Sequence, residues 1–245
     1  MLEEHLTIET DEGEMSTFIV RPESDGPFPV VLFLMDAPGK REELHDMARR
    51  IAATGYYVML PNLYYRDVPS FTVHREDPAS AKHMAHLMGN LGNAMVARDA
   101  SKLLDHAESD GSADADNVGV TGYCMSGPFA LWLAAEYPKR IKAAASIHGV
   151  RLAIDADDSP HKRASEMTGE ILVLAAEFDD WVDRPHFDRL TEALEDAEVS
   201  YCAEWIEGVH HGFVFPQRPK YDKVASERHW ELLHSLFDRN LGSQL

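Results

Sequence analysis

A chain of 245 residues with 42 acidic and 23 basic side chains carries a net charge of −19, which argues against nucleic acid and anionic membranes as partners. No apolar run approaches the roughly 20 residues of a membrane span, Met1-Leu2-Glu3-Glu4-His5 has neither the basic nor the apolar part of a secretory signal, and two cysteines make neither a disulfide framework nor a zinc motif. With 44% hydrophobic residues the expectation is one domain, residues 1–245, in a reducing, cytoplasmic setting.

Residues 5–9 and 17–20 alternate or cluster like two strands around a turn at Asp11-Glu12-Gly13. Behind Pro29, residues 30–35 are continuously apolar, the pattern of a strand buried on both faces. The run ends in the turn-rich Asp36-Ala37-Pro38-Gly39. Residues 41–54 place Leu44, Met47, Ala48 and Ile51 at helical spacing, Gly55 stops that helix, and 57–61 is another buried strand. From 62 to 78 the sequence is irregular; loops this long are functional or disordered. Helical patterns return at 79–88 and 94–107. Strands are then read at 117–120, 142–147, 171–176 and 200–206, and helices at 128–136, 184–197 and 221–240. Such alternation implies an α/β fold, a mostly parallel sheet covered on both faces with an antiparallel N-terminal addition.

Between the strand at 117–120 and the helix at 128–136 lies Gly122-Tyr123-Cys124-Met125-Ser126-Gly127. A strand, a glycine-flanked turn and a helix with a nucleophilic atom at the apex is the context of a nucleophile elbow. A thiol at a helix N-terminus can be activated as thiolate. The other reading of Cys124 is a small buried side chain that only packs.

In a parallel sheet reactive groups collect past the carboxyl ends of the strands. Beyond 171–176 stand Asp179, Asp180 and Asp183; beyond 200–206 stand His210 and His211. Nucleophile, acid and histidine thus follow in the chain order of a hydrolytic triad. His211 is preferred because Gly212 leaves room for a tight turn, and Asp179 because Val182 anchors its loop, with Asp180 and Asp183 read as solvated carboxylates or a helix cap.

The elbow, together with Asp179-Asp180-Trp181-Val182 and His211-Gly212-Phe213, resembles the dienelactone hydrolase family over nearly the whole chain. That resemblance implies an α/β-hydrolase fold, a mostly parallel sheet of about eight strands with helices on both faces, and Cys124, Asp179 and His211 as the triad. It implies an acidic residue, here Asp36, that helps activate the thiol; a turn-capping role for Asp36 stands beside it. It further implies the amides of Ala37 and Met125 as an oxyanion hole. The elbow departs from the family's Gly-Gly ending at Ser126. The family clamps a substrate carboxylate with two arginines; Phe215 occupies one of those places, and near the other the closest cations are Arg75 and Lys82. Tyr64, Tyr65 and Phe71 are further candidates for the pocket, or plain packing. The expected protein is a cofactor-free, metal-free monomer or homodimer that hydrolyses a small carboxylic ester or lactone. The alternatives are a broad esterase or thioesterase, a ligand-binding protein on the same fold, or a structural protein with an inert thiol.

Overall fold

Strand β1 (Leu2–Thr10) and strand β2 (Gly13–Arg21) form an antiparallel hairpin, Leu2 opposite Arg21 and Thr10 opposite Gly13. Gly13 turns the chain at φ +136°, a conformation open to glycine and costly for other residues. The structure, a computed structural model, describes residues 1–74 and 76–242. These divide into two clusters, Met1–Ala115 and Asp116–Gly242.

In the first cluster β3 (Phe28–Leu34) is buried at every position, as its apolar run requires, and pairs in parallel with β4 (Tyr57–Pro61). β4 also pairs antiparallel with β2, so the local order is β1-β2-β4-β3. Helix α1 (Glu42–Ala52) buries Leu44, Met47, Ala48 and Ile51 and packs on β2 and β4. Its acidic first turn and basic last turn suit the helix dipole. No helix or strand interrupts residues 62–77 among those described; α2 (Pro78–Gly89) then starts on an Asp77 cap, and α3 (Asn93–Ser109) packs on β1.

In the second cluster β5 (Ala113–Tyr123), β6 (Ile141–Ile147), β7 (Glu170–Phe178) and β8 (Tyr201–His210) lie side by side in that order, all parallel. Helix α4 (Gly127–Glu136) packs on β6, α5 (Arg184–Asp196) on β8, and α6 (Lys223–Leu241) on β6 and β7. A Cβ at Gly119 would stand 2.8 Å from Phe237, so the bare backbone there lets α6 lie close. The eight strands and their helices make the expected α/β fold. β8 runs four residues beyond the predicted 200–206, which places His210 in the strand and His211 directly after it. The stretch from 148 to 169, for which no element is predicted, holds a short 3-10 segment, Pro160–Glu166. Because the four strands of this cluster are parallel, their carboxyl ends share one edge, and Cys124, His148, Asp179 and His211 follow β5, β6, β7 and β8 there.

Candidate active site

The turn after β5 is tight for an identifiable reason. A Cβ on Gly122 would lie 2.0 Å from the Ser126 carbonyl oxygen, and one on Gly127 would lie 2.4 Å from Gly149 Cα. Only glycine fits at either place, and strand and helix close on each other. Cys124, at the apex, takes φ +56°, a left-handed conformation that costs a non-glycine residue and recurs at functional turns. Its carbonyl accepts from the Val150 N–H at 3.1 Å, which pins the turn to the segment after β6. Met125 and Ser126 complete a 3-10 turn that leads into α4.

His211 follows β8 in a second tight turn, with Gly212 at φ +83° and its own N–H bonded to the Phe178 carbonyl at 3.0 Å. The imidazole Nδ1 lies 2.7 Å from Asp179 Oδ2. Asp179 Oδ1 in turn accepts from the Trp181 N–H at 2.9 Å, so the carboxylate is oriented from both sides. Burial opposes a charge on His211, but Asp179 and the Cys124 sulfur outweigh it and push its pKa from 6.5 up to about 9. Both neighbours therefore favour the protonated imidazole. Its Nε2 makes no hydrogen bond of regular geometry among the described residues, yet Cys124 is close enough to strengthen its hold on the proton. The arrangement is that of a nucleophile beside a base that a third group orients.

The neighbouring candidates part company with these three. His210 turns aside to pack its ring on Phe178 at 4.9 Å. Asp183 caps α5 through the His186 N–H, and Asp180 is exposed. Phe215, expected to line the substrate pocket, is fully buried and packs on Tyr123 and His148.

Residues 36–82 belong to the first cluster and are described within it. The carboxylate of Asp36 is wholly buried and paired with Arg41, whose guanidinium also holds Glu43 at 2.6 Å. Burial works against the charge of Arg41, and Asp36 and Glu43 more than restore it, raising its pKa. The Ala37 carbonyl accepts from the Tyr64 hydroxyl at 2.8 Å, and Phe71 meets Tyr64 and His83 edge to face. Tyr65 is turned to packing, its hydroxyl on Asp99 at 2.8 Å and Thr10 at 2.9 Å. Lys82 is exposed, and Arg75 lies outside the described residues.

Three residues of note are given no role by the sequence alone. Arg41, five residues past Asp36, is one. Trp181 is another: it is 62% exposed, and its ring lies 4.8 Å from that of His211. His148 is the third, with ring centroids 4.6 Å from His211. The rule that finds Asp179, a polar residue just past a strand end, also finds His148. Among the described residues no three or more His, Cys, Asp or Glu side chains are grouped to hold a metal ion, and no helix is long and apolar enough to cross a membrane.

The sequence profile of the Dienelactone hydrolase family matches residues 15–241. A Methylorubrum extorquens protein named "Putative carboxymethylenebutenolidase" is 26% identical over 94% of this chain and 78% of its own length. A Synechocystis protein of the same name is 23% identical over 96% of each. Among solved structures, a Klebsiella pneumoniae protein titled "Putative Dienelactone Hydrolase" superposes with a TM-score of 0.85 at 23% identity, covering 97% of this chain and 98% of that one.

Proposed function

Since the chain belongs to the dienelactone hydrolase family and so is a hydrolase of ester or lactone bonds with the α/β-hydrolase fold, we propose that it cleaves a small carboxylic ester or lactone through a thioester on Cys124. The observation that carries this reading is the imidazole of His211, held by Asp179 at 2.7 Å and kept charged by Cys124 beyond it. In the proposed reaction His211 takes the proton of the thiol, and the sulfur attacks as the thiolate. The sulfur attacks the acyl carbon; the S–C bond forms and the carbonyl oxygen becomes an oxyanion. The Met125 amide, at the elbow, is the donor proposed for it. Collapse breaks the C–O bond, and the proton on His211 Nε2 passes to the leaving oxygen. Neutral His211 then takes a proton from water, hydroxide attacks the thioester carbon, and the S–C bond breaks. The products are a carboxylic acid and an alcohol, joined in one molecule when the substrate is a lactone.

Substrate class follows from what surrounds the site. Phe215 stands where the family's dienelactone hydrolases carry an arginine, so a neutral or weakly acidic acyl group is favoured over a dicarboxylate. A net charge of −19 disfavours polyanionic substrates as well. The expected free thiols, Cys124 and Cys202, suit a reducing compartment. The match of the family profile to residues 15–241 supports one domain.

A panel of nitrophenyl esters and five- and six-membered lactones, assayed with the wild type and Cys124→Ala, tests the proposal. Turnover that disappears in Cys124→Ala, with an acyl adduct on Cys124 seen by mass spectrometry after rapid acid quench, is the expected result. Undiminished turnover in Cys124→Ala would overturn it.

A further inference from the structure

A buried titratable group beside His211 has no part in the proposed reaction. His148 is 1% exposed, and neither of its ring nitrogens has a hydrogen-bond partner among the described residues. Two such nitrogens cost free energy that a phenylalanine of similar shape would not. The backbone at His148 is strained as well, at φ +38°, and is held there by its N–H on the Leu174 carbonyl at 2.7 Å. That strain does one visible thing: it turns the ring out of β6 and against the side of His211, where the two meet edge to face with centroids 4.6 Å apart. The exposed Trp181 also meets this imidazole, with ring centroids 4.8 Å apart. His211 thus contacts two aromatic rings.

We propose that His148 is a positioning residue for the reaction at Cys124: its uncharged ring fixes the orientation of the His211 imidazole and stabilises the positive charge that His211 carries. A neutral imidazole offers a nitrogen lone pair and an aromatic face, both attractive to a neighbouring cation. With no hydrogen bond to satisfy, that lone pair answers to the charges nearby. These are His211, Arg218 and His229, and Tyr123 also faces the ring at 6.1 Å. Burial first, and then those positive charges, hold His148 well below the usual histidine range, so it stays neutral while His211 is charged. One proton is therefore kept on His211, whose other neighbours are Asp179 and Cys124. Phenylalanine would supply the face without the lone pair, and leucine neither.

The inference rests on the reading of Cys124 and His211 as the reactive pair, and the test separates the two. Alkylation of Cys124 by iodoacetamide is followed by mass spectrometry between pH 4 and 10, with Cys202, half-exposed on β8, as the internal reference. In the wild type Cys124 reaches its half-maximal rate at lower pH than Cys202. In His148→Phe that midpoint rises by about half a unit, and in His148→Leu by more, while the Cys202 profile stays put. His148→Phe removes two buried unpaired nitrogens and keeps the ring volume, so it folds. A folded His148→Phe with an unmoved Cys124 midpoint overturns the inference and leaves the reactive pair intact. Cys124 and Cys202 with coincident wild-type profiles would overturn the pair itself, and the inference with it. In the unaltered protein, a nitrogen-15 NMR titration is expected to show His211 losing its proton near pH 9 with His148 neutral throughout; a charged His148 at pH 7 overturns the proposal independently.

Discussion

Each half of the chain buries one carboxylate at the end of a strand, and the two differ in what they hold. Asp36, past β3, is paired with Arg41, a group that stays charged at any pH the protein meets. Asp179, past β7, is paired with His211, whose proton can leave near pH 9. A carboxylate facing a guanidinium builds a permanent ion pair and so fixes a turn. One facing an imidazole builds a pair that can give up its proton and take it back, which is what acyl transfer needs.

Asp179→Asn breaks the titratable side of the comparison and is expected to have the largest effect. An amide presents a donor as well as an acceptor to Nδ1, and the favoured tautomer of His211 is lost. Loss of the acid in such triads costs on the order of 10⁴ in kcat. Nitrophenyl ester turnover should fall by about that factor, with the far-UV spectrum and unfolding midpoint changed little. A loss below tenfold would mean that Asp179 only packs.

Asp36→Asn breaks the permanent side and should register as stability first. Removing one partner of a buried pair typically costs about 3–5 kcal/mol, and the figure should fall short of that here because Glu43 still holds Arg41. At about 2–4 °C per kcal/mol for a chain of this size, the melting temperature drops by several degrees. If turnover per folded molecule also falls by more than tenfold, Asp36 acts on the chemistry, as the family resemblance implies.

The same contrast has a pH signature. A histidine whose pKa rises from 6.5 to about 9 on folding contributes stability that is fully present below pH 6.5 and lost as the pH climbs through 9. At 1.36 kcal/mol per unit the ceiling is about 3 kcal/mol, shared with the Cys124 sulfur. Urea unfolding at pH 6, 7.5 and 9.5 should show the wild type weakening across that window and Cys124→Ala weakening less. Arg41, whose pKa is raised, keeps its charge throughout, so the Asp36 pair contributes no slope of its own from that partner. Equal slopes in both proteins would place the raised value of His211 in doubt.

How much of this was visible in the residues alone follows the range of the interactions. The strands announce themselves because a buried strand must be apolar at every position, as residues 30–35 are, and the elbow because two glycines must flank its apex. Asp179 and His211 could be singled out because parallel strands end on one edge, and their side chains do meet, at 2.7 Å. Arg41 was not, since its pairing depends on the turn at Asp36–Gly39, where Gly39 N–H bonds back to the Asp36 carbonyl at 2.9 Å. The burial of Phe215 was hidden for a related reason: spacing from His211 says nothing about which way the turn at Gly212 sends the following chain, and it sends it inward. His148 meets the strand-end rule, but its ring reaches His211 only through a left-handed backbone that no local pattern signals.

The smallest expected effect comes from the helix caps, where the two halves should behave alike. Asp77 caps α2 through the Ala79 N–H in one half, and Asp222 caps α6 through the Ala225 N–H in the other, each at 2.9 Å. Replacing either with alanine should cost about 1 kcal/mol. The instructive member is Asp222, because its own N–H also donates to the Phe213 carbonyl at 3.0 Å, two residues past His211. That second bond belongs to the backbone and survives in Asp222→Ala, so the turn that carries His211 keeps its anchor while α6 loses its cap. Stability should therefore fall without loss of turnover. Measured by thermal melting and ester hydrolysis together, a drop in kcat beyond twofold would show that the cap, and not the backbone bond, sets the position of His211.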